Sequence, residues 1–134
     1  KAGLAFTISY VGYVHAVAHS LGGKNNTPHG LANAVIMPYV LKAYGPACHK
    51  RLARLARESG VADVSLGDSE AAGQFIAFVE DMNARMNIPE KLKAEEADIP
   101  ELARHADREA NPLYPVPRLM NAAALEDIYR QIKE

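Results

Sequence analysis

Apolar residues recur at steps of three and four along most of the 134-residue chain, and no run sustains period-two alternation bounded by hairpin turns. Such steps return side chains to one face of a 3.6-residue turn, so the pattern predicts helices nearly throughout. A first helix is expected over about Gly3 to Leu21, ended by Gly22-Gly23. Thr27 as N-cap and Pro28 in the first helical position open a second, which reaches about Ala43, kinks at Pro38 and stops at Gly45-Pro46. A third, from about Ala47 to Glu58, turns Leu52 and Leu55 inward and Lys50, Arg51, Arg54 and Arg57 outward before Gly60 closes it. The fourth starts near Ser69 and carries Ala72, Phe75, Ile76, Val79, Met82 and Met86 as one apolar stripe, assigned to the core, ahead of Ile88-Pro89. Asp98 with Glu101 three residues on has a capping-box spacing and opens a fifth helix running to about Ala110. Three prolines between Asn111 and Pro117 remove donors and restrict their predecessors, so that stretch is a loop or an ordered crossing. A last helix from Asn121 packs through Leu125, Ile128, Tyr129 and Ile132. The whole reads as one all-α unit over residues 1–134, a bundle of about six helices.

Charge narrows the function. A formal net charge of -1, with basic residues interspersed among acidic ones, provides no field for a phosphate backbone and argues against nucleic acid. The single cysteine, Cys48, can form neither an internal disulfide nor a zinc knuckle, which fits a reducing, cytoplasmic setting. Ala2 to Gly23 contains no Asp, Glu, Lys or Arg and is as long as a membrane span. Gly3, Thr7, Ser9, Gly12, His15, His19 and Ser20 interrupt it, however, so it suits the centre of a soluble bundle better than lipid. Lys1 alone is a poor basic region for a secretory leader, and the absence of a starting methionine suggests a start other than the native translation start. The length is also short for an enzyme that takes a nucleotide and a second substrate.

Three of the five histidines fall close together: His15, His19 and His29. His15 and His19 are four apart and project from one helix face, and a helix-loop-helix hairpin can fold His29 back beside them. Neutral imidazole binds divalent iron, zinc, nickel or copper, and a helix N-terminus disfavours the imidazolium form of His29. The same dipole disfavours the cation, so a carboxylate ligand is expected, yet Asp63, Asp68 and Glu70 lie on other elements and the set looks incomplete. The alternative is that His15 and His19 are packed, hydrogen-bonded histidines and His29 is merely a helix-start residue; HxxxH with a third histidine at a Pro-His-Gly helix start favours metal binding or catalysis over it. Peptide hydrolysis is disfavoured, because Ala16 stands where a metalloprotease carries its general-base glutamate. His49 and His105 read as solvated surface residues.

The run Gly12-Tyr13-Val14-His15-Ala16-Val17-Ala18-His19-Ser20-Leu21-Gly22-Gly23, continued by Thr27-Pro28-His29-Gly30-Leu31-Ala32-Asn33-Ala34, closely resembles the signature of iron-containing (group III) alcohol dehydrogenases. Weaker similarity extends through Pro38-Tyr39-Val40-Leu41, Asn87-Ile88-Pro89 and Asp98-Ile99-Pro100 to the closing helix. The resemblance implies the C-terminal helical, metal-binding domain of a larger enzyme that interconverts small primary alcohols and aldehydes with NAD or NADP. His15 and His29 match two of that family's metal-ligating histidines; an aspartate and a further histidine would lie upstream. His19 matches a position near the nicotinamide and the reacting oxygen, with a cofactor-contacting, proton-relay or positioning role, and Phe6 and Val11 match substrate-pocket positions.

By the same resemblance the metal is divalent, iron first and zinc second, and polarises the alcohol or aldehyde oxygen. The N-terminal dinucleotide-binding domain and the first part of the helical domain are expected to be missing, and no GxGxxG occurs. Alone, the chain should then be catalytically silent; the intact enzyme should be a homo-oligomer. A glycerol-type or quinate-pathway metalloenzyme fits the Gly-Tyr-Val-His-Ala form of the motif less well. The competing classes are a non-catalytic helical module that binds metal weakly or docks another chain through its apolar first helix, and a membrane-inserted helix with a soluble tail.

Overall fold

The computed structural model of the chain describes residues 11–134. Six α-helices occur among them: α1 (Tyr13–Asn25), α2 (His29–Tyr44), α3 (Pro46–Glu58), α4 (Asp68–Arg85), α5 (Ile99–Ala110) and α6 (Ala122–Ile132), with one 3-10 turn over Glu96–Asp98. The all-α reading holds. Within the described residues no helix is long and apolar enough to cross a membrane.

α1 lies against α2 and α5, α6 covers α5 and α2, and α3 packs along α4. The main core gathers Tyr13, Val17, Leu21, Ile36, Val40, Leu125, Ile128, Tyr129 and Ile132. A second, small-residue core of Ala53, Ala56, Ala62 and Ala71 joins α3 to α4. Alanines permit close approach of two helices, and that approach decides which α3 residues face inward. Leu55, expected inside, is 49% exposed, whereas Leu52, Ala53 and Ala56 are buried. The stripe on α4 is likewise shorter than its pattern: Ala72, Ile76 and Val79 are buried, but Met82 and Met86 are exposed. Beyond Val79 the helix docks on α2 through a polar contact instead, with Asn83 Nδ2 donating to the Ala34 carbonyl at 2.8 Å.

Several helix ends differ from those expected. Val11 is not helical and Gly12 is an extended N-cap (φ -142°), so α1 starts at Tyr13; the earlier part of the expected helix lies outside the described residues. At its other end α1 runs through Gly22-Gly23 and stops at Asn26, which takes the left-handed conformation (φ 52°) and donates its N–H to the Gly22 carbonyl. Contacts to distant residues hold that extra turn: Lys24 Nζ pairs with Asp98 at 3.2 Å and Glu101 at 3.1 Å, and Asn25 Nδ2 donates to the Lys93 carbonyl at 2.7 Å. Asp98 makes no side-chain cap for α5, because it continues from the 3-10 turn in a right-handed helical conformation rather than the extended one a capping residue adopts. Pro28 rather than Thr27 is the N-cap of α2, and it has no side-chain cap bond.

Gly45 alone separates α2 from α3, at φ 55° and ψ -137°, where a side chain would be strained, and Pro46 opens α3 rather than only ending α2. Asn121 caps α6 by accepting the Ala124 N–H at 3.0 Å. The proline-rich stretch before it is an ordered crossing. Buried Tyr13 donates its hydroxyl to Asn111 Oδ1 at 2.7 Å and accepts the Met120 N–H at 2.9 Å, tying both ends of the crossing to the start of α1.

Candidate functional site

One turn apart on α1, His15 and His19 have ring centroids 5.8 Å apart with planes at 76°. The connection from Asn26 to Pro28 reverses the chain, and α2 begins with His29. Its ring lies 5.4 Å from that of His15 and 5.0 Å from that of His19, nearly parallel to the latter at 23°. The three rings predicted to share one pocket do meet.

So close a group disfavours the charged form of His15. The most buried of the three, His15, has its pKa lowered from 6.5, first by desolvation and then by the charges that His29 and His19 would carry, with Glu109 opposing. A folded-state value below the unfolded one means that the unfolded chain binds more protons across the interval between them. The stability contributed by neutral His15 is therefore complete above pH 6.5 and is lost as pH falls through the lower folded value. Thermal melts are expected to show the melting temperature falling from about pH 7 to about pH 5, with His15→Gln flattening that slope. An unchanged slope in the variant would contradict this assignment.

Each of the other two rings has a partner on one nitrogen. Asn33 Nδ2 lies 2.9 Å from His29 Nε2 and 2.9 Å from the His29 carbonyl oxygen. The carbonyl only accepts, so the amide nitrogen must face it, and Nε2 of His29 then carries a lone pair. His19 Nδ1 lies 2.7 Å from Glu109 Oε1, and the Tyr114 hydroxyl donates to the same oxygen at 2.9 Å. Beside this pair a cleft of about 530 Å³ opens between α1 and α5, lined by His19, Ser20, Lys24, His105, Arg108 and Glu109.

Two imidazoles bound through one nitrogen each, about 2.1 Å from a common ion, have ring centroids on the order of 5 Å apart. Each pair among the three rings, at 5.0 to 5.8 Å, is of that order, so the spacing permits a shared divalent cation without choosing the pair, and His29 binds one only if Asn33 releases its Nε2. Among the described residues no group of three or more His, Cys, Asp or Glu side chains is arranged to hold a metal.

Of the remaining expected residues, Val11 is half-buried just ahead of Gly12, and Phe6 lies outside the described residues. His105 is exposed as expected; His49 is half-buried, because it follows Cys48 on the side of α3 that turns into the core. Glu109, Tyr114 and Asn33 were not singled out from the sequence. Asn33 had a signal, four residues after His29 on one helix. Glu109 had none, being 90 residues from His19.

In this all-α bundle three imidazole rings from two successive helices meet, in the kind of place between facing helices where bundles build ligand, cofactor and metal sites. Residues 1–133 match the family model described as Fe-containing alcohol dehydrogenase family, C-terminal, and the chain belongs to that family. It is 36% identical to 1,3-propanediol dehydrogenase of Citrobacter freundii over 133 residues, covering 97% of this chain and 34% of that protein. It is 39% identical over 114 residues to alcohol dehydrogenase 4 of Saccharomyces cerevisiae, covering 81% of this chain and 28% of the relative. A crystal structure of 1,3-propanediol oxidoreductase superimposes with a TM-score of 0.90 at 35% identity, covering 98% of this chain and 35% of that one. The chain thus spans about a third of the length of these relatives.

Proposed function

We propose that the chain is the metal-binding helical part of an NAD(P)-linked dehydrogenase that interconverts small primary alcohols and aldehydes. The observation that carries this reading is the 5.4 Å approach of the His15 and His29 rings across the α1–α2 connection. In it, His15 and His29 hold a divalent ion, iron first and zinc second, together with an aspartate and a histidine from sequence preceding this chain. When bound, the metal supplies Lewis-acid polarisation of the alcohol or aldehyde oxygen.

The chain's own residues do the rest. Lowering of the His15 pKa keeps its nitrogen lone pair available near neutral pH, which is the form a ligand requires. His19, adjacent to both ligands, orients the reacting group or takes and returns its proton. Phe6 and Val11 line the substrate pocket and exclude water. The nicotinamide cofactor is held by a separate dinucleotide-binding domain of the same polypeptide, and that division of labour makes this chain silent alone.

The test is a chimera in which this chain replaces the C-terminal third of the Citrobacter freundii enzyme. It is expected to retain a divalent metal and to oxidise 1,3-propanediol or a similar primary alcohol with NAD or NADP, losing activity to a chelator. The isolated chain should show none. A folded chimera that holds no metal, or one whose turnover survives complete metal removal, would end the proposal.

A further inference from the structure

The contact between His19 and Glu109 extends the site to α5, an element the metal-binding reading does not use. Their separation of 2.7 Å is at the short, charge-assisted end for a nitrogen donor and a carboxylate oxygen. The Tyr114 hydroxyl donates to that same oxygen, so Glu109 Oε1 is an acceptor at this corner and the nitrogen facing it is the one placed to supply a proton. Tyr114 remains a donor, because desolvation and then its hydrogen bond to Glu109 raise its pKa. His19 itself is 44% exposed on its side chain, so packing alone holds its ring loosely; the stack on His29 restrains the ring's plane and leaves the half-turn about Cβ–Cγ open. The edge contact to Glu109 closes that freedom.

We propose that Glu109, steadied by Tyr114, is the positioning residue of His19: it fixes the ring with its proton on Nδ1 and leaves the Nε2 lone pair as the acceptor. Neutral histidine in water prefers the opposite tautomer, with the proton on Nε2, so the carboxylate reverses an intrinsic preference. The chemical consequence follows from the tautomer. A ring held this way can take a proton at Nε2 and return it from there, whereas the reverse tautomer offers only a donor. The consequence for turnover rests on the proposed function above; the tautomer does not.

The test is imidazole nitrogen-15 NMR on the 134-residue chain at about pH 8, above the ordinary imidazole pKa of about 6.5. His19 is expected to be predominantly Nδ1–H in the unmodified chain and to move predominantly to Nε2–H in both Glu109→Ala and Glu109→Leu. Leucine preserves bulk, so an effect common to both belongs to the lost acceptor. In the chimera the same substitutions are expected to lower kcat by roughly 10- to 100-fold while metal content stays unchanged. A His19 that is already Nε2–H in the unmodified chain, or a tautomer ratio unmoved in both variants, overturns the positioning role and leaves the His15–His29 reading standing. Loss of that reading instead shows as a chimera without metal, whatever tautomer His19 adopts.

Discussion

Alanine in place of His15 or His29 is expected to strip the metal from the chimera, whereas alanine in place of His19 leaves it bound. A cation offered two imidazoles from this chain loses half of that contribution when either is removed. Lewis-acid stabilisation of the reacting oxygen is worth several kcal/mol, so its loss lowers kcat/KM by about 10³-fold or more. For His19→Ala the loss is that of a proton-handling group, about 10²-fold, and it falls on kcat. Metal analysis by mass spectrometry, run beside steady-state kinetics, separates the two. Metal content equal in all three variants would remove His15 and His29 from the coordination set, and metal loss in His19→Ala would give that residue the ligand role instead.

The helices around this site were legible in the sequence for one reason: their signals are local. Apolar spacing and Gly or Pro punctuation placed α2, α3, α5 and α6 to within a few residues. His15, His19 and His29 were legible as a cluster because helix periodicity and one short connection suffice to bring them together. What escaped depends on contacts between distant segments. Lys24, paired with Asp98 and Glu101, helps prolong α1 past two glycines, and Asp98 enters α5 from a 3-10 turn instead of the extended conformation of a cap; neither leaves a trace in the local spacing. Alanine packing between α3 and α4 turns Leu55 outward, although its hydrophobicity argues for the core. Glu109 reaches His19 only because α5 packs along α1, a contact with no signal in the sequence around either residue.

The largest stability effect is expected at Tyr129. Its side chain is fully buried in the core where α6 closes over α1 and α5, and its hydroxyl donates toward the Val17 carbonyl at 3.2 Å, with the Leu102 carbonyl at 3.4 Å. Burial raises the phenol pKa strongly, so the group stays a donor throughout the ordinary pH range. Tyr129→Ala removes an aromatic ring from a closed core and is expected to cost about 3–5 kcal/mol, a large part of the 5–15 kcal/mol typical of a domain. Tyr129→Phe keeps the ring and loses only the hydrogen bond, about 1 kcal/mol. Both carbonyls lie within helices, which limits the penalty of leaving them without the phenol. Urea denaturation followed by circular dichroism gives the ratio directly, and equal losses in the two variants would show that the hydroxyl rather than the packed ring holds these helices together. The effect reaches the site through α1: Val17 lies between His15 and His19 on that helix, so a cavity beneath it frees the segment that carries both rings. Tyr129→Ala should therefore broaden the His15 and His19 imidazole resonances at temperatures where the chain remains folded, and Tyr129→Phe should leave them sharp.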